Sequence, residues 1–137
     1  MAAFHATNAD EAPAMTARKG RFVRIATGDG GEICTRCEVA DTALSRMRGL
    51  LGRRGLDAGG GMLINPCPSV MTFFMRFTID VVFLDRENTI VGIAHTLRPW
   101  RVAGARRAHS SLELPAGTAE ALRLQEGDPL SIVPLGE

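Results

Sequence analysis

The amino-acid sequence predicts a small α+β domain, mostly antiparallel β, built as a small sheet or a partly closed barrel with two short helices. Two features point to it. Short segments that alternate apolar and polar residues recur along the chain with turn residues between them, and helical spacing is confined to two brief stretches.

The elements follow in order. RFVRIAT from Arg21 alternates, GDGG supplies turn residues, and EICTRCEVA alternates again, which predicts a β-hairpin. Asp41 or Thr42 can cap a short helix with Leu44, Met47 and Leu51 on one face, ended by Gly52. GRRGLDAGGG is a glycine-rich loop, MLI a buried short strand and NPCP a turn. From Thr72 to Leu84, TFFMRFTIDVVFL reads as one long strand. Phe73, Met75, Phe77, Ile79, Val81 and Phe83 share its apolar face, and Arg76 and Asp80 lie on the other. DREN is a turn, TIVGIAHTL pairs back as a hairpin, and RPWRVAGARRAH is a long loop. SSLELP is a strand, a short helix starts at Thr118, and DPLSIVPL closes the fold.

Length and composition set the class. A chain of 137 residues, 45% apolar and 23% charged, fits one globular domain. The division predicted is a disordered tail over residues 1–19 and a single domain over 20–137. The start of the chain shows no signal peptide and no stretch is apolar enough to span a membrane, so a cytoplasmic protein is expected.

A net charge of +1 argues against a dedicated polyanion binder, but the average hides two basic clusters. Arg46, Arg48, Arg53 and Arg54 form one; Arg98, Arg101, Arg106 and Arg107 form the other, with no acid between them. Nucleic-acid binding calls for aromatics interleaved with the basic residues, and Trp100 is the only aromatic near the second cluster. The sequence therefore speaks against nucleic acid as a partner.

Few motifs carry chemistry. Cys34 and Cys37 form a C-x-x-C within a predicted strand, where an odd offset sends the side chains to opposite faces unless a bulge intervenes. Cys67, between Pro66 and Pro68, has no base nearby in sequence to activate it. His5, His95 and His109 lack metal-ligand spacing, and no metal or cofactor is predicted. The glycines of DAGGGM lack the Lys and Ser or Thr of a phosphate-binding loop.

Arg76 and Asp80 remain as charges inside the most apolar segment. On one strand they stand roughly 13 Å apart, so each needs a partner elsewhere. Glu113 is the expected partner of Arg76, and Arg48 or an arginine of the 98–107 loop that of Asp80.

SRMRGLLGRRGL, GGGMLI, TFFMRFTIDVVFLD, RPWR, LELPAG and the closing GD occur in an order and spacing that resemble domain-of-unknown-function family 192, over about Arg21 to Pro134. The resemblance implies a compact, mostly β domain and no established activity. It places weight on Arg48, Gly49 and Leu50, on Met75, Arg76 and Asp80, and on Glu113, Pro115, Ala116 and Gly117. Relatives tend to carry His where this chain has Met71, and many look exported.

The leading expectation is a binding domain that works without catalysis. It recognises a small polar or anionic ligand in a cleft edged by Arg48, Thr72, Arg76, Asp80 and Glu113. One alternative is a hydrolase acting on carbohydrate or cell-envelope material, with Asp80 and Glu113 as paired carboxylates. Another is a protein or nucleic-acid interaction module using the 98–107 loop. A monomer or weak homodimer is expected.

Overall fold

The computed structural model describes residues 21–42, 46 and 49–136. Nine strands and one short helix follow in order: β1 Arg21–Thr27, β2 Glu32–Ala40, β3 Gly60–Ile64, β4 Ser69–Met71, β5 Ile79–Leu84, β6 Ile90–Leu97, β7 Val102–Gly104, β8 Ser110–Pro115, α1 Thr118–Ala121 and β9 Leu130–Pro134. Seven strands form one curled sheet in the order β6-β5-β8-β3-β2-β1-β9, and β4 pairs with β7 in a separate two-stranded sheet. A bridge between Thr89 and Pro129 joins the two ends of the large sheet at one corner, giving a half-closed barrel. Pairing is antiparallel except between β2 and β3, which run parallel.

The β1–β2 and β5–β6 hairpins, the strand at SSLELP, the helix at Thr118 and the closing strand stand where the sequence places them. Among the described residues there is one helix, four residues long, where two were expected. Most of the other expected helix, with Leu44 and Met47, lies outside the described residues, as do the predicted tail over 1–19 and Arg48.

The long strand over Thr72–Leu84 is not formed. The chain leaves β4 at Met71, turns through residues 72–78, and enters β5 only at Ile79. Phe74 adopts φ 66°, a left-handed conformation outside regular strand geometry. The apolar parity of this stretch therefore joined two unlike segments, an exposed aromatic turn and a strand buried on both faces. The expected loop over 98–109 likewise contains a strand, β7.

β2 carries a further correction. Val23 stands opposite Cys37 and Ile25 opposite Cys34, so the interval of two residues on β1 spans three on β2. This bulge resets the alternation, and both cysteines are buried in the same core cluster instead of pointing apart.

The sheet separates two apolar layers. One gathers Ile25, Val82, Leu84, Leu112, Leu114 and Ala119 of α1. The other gathers Leu50, Met62, Ile64, Val70, Met75 and Phe83, and so includes residues of β4 and of the turn after it. Burying each such side chain contributes about 1.5–3 kcal/mol. The 98–109 connection lies over β6 at Gly92, where a Cβ would stand 2.6 Å from the Cβ of Ala105. Glycine is required there for the two segments to approach.

Candidate functional site

Five of the seven large apolar side chains exposed among the described residues come from two short segments: Met71, Phe73 and Phe74 from one, Trp100 and Val102 from the other. Met71 faces Val102 across the β4–β7 ladder. Beyond that pair the two segments are tied together by Thr72. The Thr72 N–H donates to the Arg101 carbonyl at 2.9 Å, and its carbonyl accepts from the N–H groups of Trp100 at 3.0 Å and Met75 at 3.2 Å. Its hydroxyl donates to the Arg98 carbonyl at 2.7 Å and accepts from the Arg101 N–H at 2.8 Å. Thr72 is fully buried, so these bonds are shielded from water.

The product of this clamp is an aromatic cluster. Phe73 stacks on Trp100 with centroids 5.4 Å apart, and Phe74 meets Trp100 edge-on at 4.7 Å. Phe74 is 71% exposed and Trp100 54%. Both take positive φ, 66° and 68°, at a cost of about 1–3 kcal/mol each for a bulky residue. Two strained aromatic residues are thus held facing solvent by a buried hydroxyl.

The two segments that carry the patch hold charge of one sign. Residues 58–79 and 88–112 contain Arg76, Arg98, Arg101, Arg106 and Arg107 and no Asp, Glu or Lys. All five arginines are exposed, and among the described residues none forms an ion pair.

Four of the five predicted site residues are described, and they take different places. Thr72 is the buried clamp. Arg76 is exposed at the edge of the aromatic turn. Among the described residues Asp80 has no arginine partner: one carboxylate oxygen accepts the Thr96 N–H at 2.8 Å, and the other accepts the N–H groups of Gly117 at 3.1 Å and Ala119 at 2.8 Å. It therefore caps α1, whose N-cap is a glycine without a side chain to do so. Glu113 is fully buried and neither carboxylate oxygen has a hydrogen-bond partner among the described residues, so the expected pair with Arg76 is not made. Burial pushes its pKa up to about 7, against a smaller opposing pull from Arg53.

Asp80 and Glu113 also cannot act as a pair. Asp80 turns toward α1 in the first layer, whereas Glu113 stands between Met62 and Val81 of the second, on the opposite side of the sheet. The two-carboxylate arrangement proposed for a hydrolase is absent because neighbouring strands send these side chains to different faces.

The other groups with chemical potential are engaged in structure. The two clustered thiols influence each other: that of Cys37 draws the Cys34 pKa down, and that of Cys34 drives the Cys37 pKa far up. Burial raises the Cys67 thiol, whose Sγ contacts the Ser69 carbonyl at 3.0 Å. A cleft of about 360 Å³ opens between β2 and the glycine-rich loop, but none of Thr72, Arg76, Asp80 or Glu113 lines it. Its two arginines are already occupied, Arg36 over the Phe22 ring at 3.8 Å and Arg53 on Glu38 at 2.9 Å.

Sequence reasoning identified Trp100 and the arginines but missed the part played by Phe73 and Phe74. The doubled phenylalanine of TFFM is the available signal, since a two-residue aromatic run cannot turn both rings to one face of a strand.

Residues 24–132 match the family model DUF192, described as an uncharacterised ACR. The UPF0127 protein of Pyrococcus abyssi is 35% identical over 99 residues, covering 66% of this chain and 80% of that protein. The UPF0127 protein of Pyrococcus furiosus is 35% identical over 109 residues, covering 74% and 90%. Among solved structures, a Sinorhizobium meliloti protein provisionally described as a transcription regulator superposes with a TM-score of 0.72. It is 26% identical, with 83% of this chain and 94% of that one covered. A Novosphingobium aromaticivorans protein of unknown function shares the fold with a TM-score of 0.71 at 22% identity, covering 80% and 83%. The order of the sequence blocks, the half-closed barrel and these matches agree: the chain belongs to the DUF192 (UPF0127) family.

Proposed function

We propose that this protein is a binding domain that works without catalysis and recognises an anionic partner at the platform of Phe73, Phe74 and Trp100. The observation that carries this reading is the Thr72 clamp, which holds two strained aromatic residues against water. A fold gains nothing in stability from such exposure, so the arrangement is best explained by what docks there. Arg76, Arg98 and Arg101, which form no ion pair among the described residues, supply the complementary charge.

The narrower idea of a small ligand held by Arg48, Thr72, Arg76, Asp80 and Glu113 is not favoured. Asp80 and Thr72 use their polar atoms on the backbone, and Glu113 is sealed inside the second layer. A platform of exposed rings suits a larger partner. The description of the Sinorhizobium protein as a regulator is compatible with a binding role of this kind.

Trp100 is the sole tryptophan, so its emission reports on the platform directly. Titration with polyglutamate, dextran sulfate and dT oligomers should shift or quench that emission saturably with at least one of them, and added salt should reverse the change. Emission unmoved by all three would overturn the proposal.

A further inference from the structure

Resting on the platform reading, we infer that the anionic partner is single-stranded nucleic acid, its bases stacking on Phe74 and Trp100 and its phosphates meeting Arg76, Arg98 and Arg101. The sequence spoke against nucleic acid for want of aromatics near the arginines. The fold supplies them: the clamp at Thr72 brings Phe73 and Phe74, more than twenty residues away in the chain, against Trp100. Aromatic rings interleaved with arginines are the footprint of sequence-tolerant single-strand binding.

Three features favour a single strand over other anions. A partner that carries both negative charge and flat rings fits this surface, whose segments FFMR and RPWR bear arginine close to aromatic side chains. Duplex recognition by a helix in the major groove is not available from the described residues, whose one helix has four residues. A protein partner would ordinarily be met by a rim of both charge signs, and both segments that form this rim lack carboxylates.

The test is fluorescence anisotropy of a labelled dT oligomer about fifteen nucleotides long, a length suited to a single small domain, with Trp100 emission followed in parallel. Expected is saturable binding with quenching of Trp100, weaker binding to a duplex of the same length, and a log–log salt slope of about −2 for three phosphate contacts. Phe74→Ser should weaken binding about 5- to 100-fold, the range for losing one stacked base, with an unchanged melting curve. Arg98→Ala should make the salt slope shallower by about 0.7. Equal or tighter duplex binding, or single-strand binding that leaves Trp100 unmoved, would overturn the inference. Quenching by polyglutamate without response to dT would overturn it while leaving the platform reading intact. No response to any anion would remove both.

Discussion

Thr72 and Asp80 are both buried polar residues that tie distant backbone together, and they end in opposite results. Asp80 gathers three N–H groups, from Thr96, Gly117 and Ala119, and the segments it joins close over the sheet with Ala119 inside the core. Thr72 gathers the backbone of Arg98, Trp100, Arg101 and Met75, and the segments it joins open outward into Phe73, Phe74 and Trp100. The same kind of hydrogen bonding serves stability in one place and presentation in the other. What separates them is the side chains carried by the bonded segments, small residues around Asp80 and large rings around Thr72.

Substitutions should divide along this line. The largest stability loss is expected for Asp80→Ala, which leaves three N–H groups without their acceptor; at about 1–3 kcal/mol for each buried group, the variant should lose about 3–5 kcal/mol or fail to fold. Chemical denaturation measures it. Thr72→Val keeps the shape and removes the hydroxyl, so about 1–3 kcal/mol should be lost, and Trp100 should become more accessible to an acrylamide quencher. A Thr72→Val protein with unaltered Trp100 accessibility would show that the hydroxyl does not hold the platform.

An effect of comparable size, but one that depends on pH, is expected at Glu113. Its pKa is about 7 folded against an ordinary value near 4.5, so the folded state retains a proton that the unfolded chain releases between those values. The stability that Glu113 contributes is complete below about pH 4.5 and falls as pH rises to about 7, by about 3 kcal/mol over the interval, before levelling. Glu113→Gln should therefore gain stability relative to the natural protein as pH rises through that range. Melting curves at pH 5 and pH 8 would reveal it, and a constant difference would indicate that Glu113 titrates near its ordinary value. The groups that bear on it are Arg53, which favours the charged form, and the thiols of Cys37 and Cys67, whose own ionisation it opposes.

Much of the fold was legible because its signals are local. The β1–β2 and β5–β6 hairpins follow from alternation and turn residues, and the closing strand from DPLSIVPL. The family blocks were legible for a different reason, as an ordered set of short motifs. What could not be read depends on contacts far apart in the chain. The apolar parity of 73–83 suggested one strand because nothing in that stretch reveals the hydroxyl of Thr72 bonding to Arg98, 26 residues away. The bulge that puts Cys34 and Cys37 on one face depends on β1 for its register. Asp80 is conspicuous in the sequence as a charge in an apolar segment and Glu113 as a candidate partner, but their neighbours across the sheet decide what they do, and sequence spacing is silent on those.

Phe74 and Val133 allow the central claim to be tested with the smallest disturbance, since both are exposed apolar side chains and only Phe74 belongs to the platform. The measurement is the affinity of Phe74→Ser and Val133→Ser for whichever anionic polymer moves Trp100 emission, with melting temperatures recorded alongside. The account predicts natural affinity for Val133→Ser and a loss of about tenfold or more for Phe74→Ser while that variant remains as stable as the natural protein. Equal affinity in the two variants would contradict it and place the interaction surface elsewhere on the molecule.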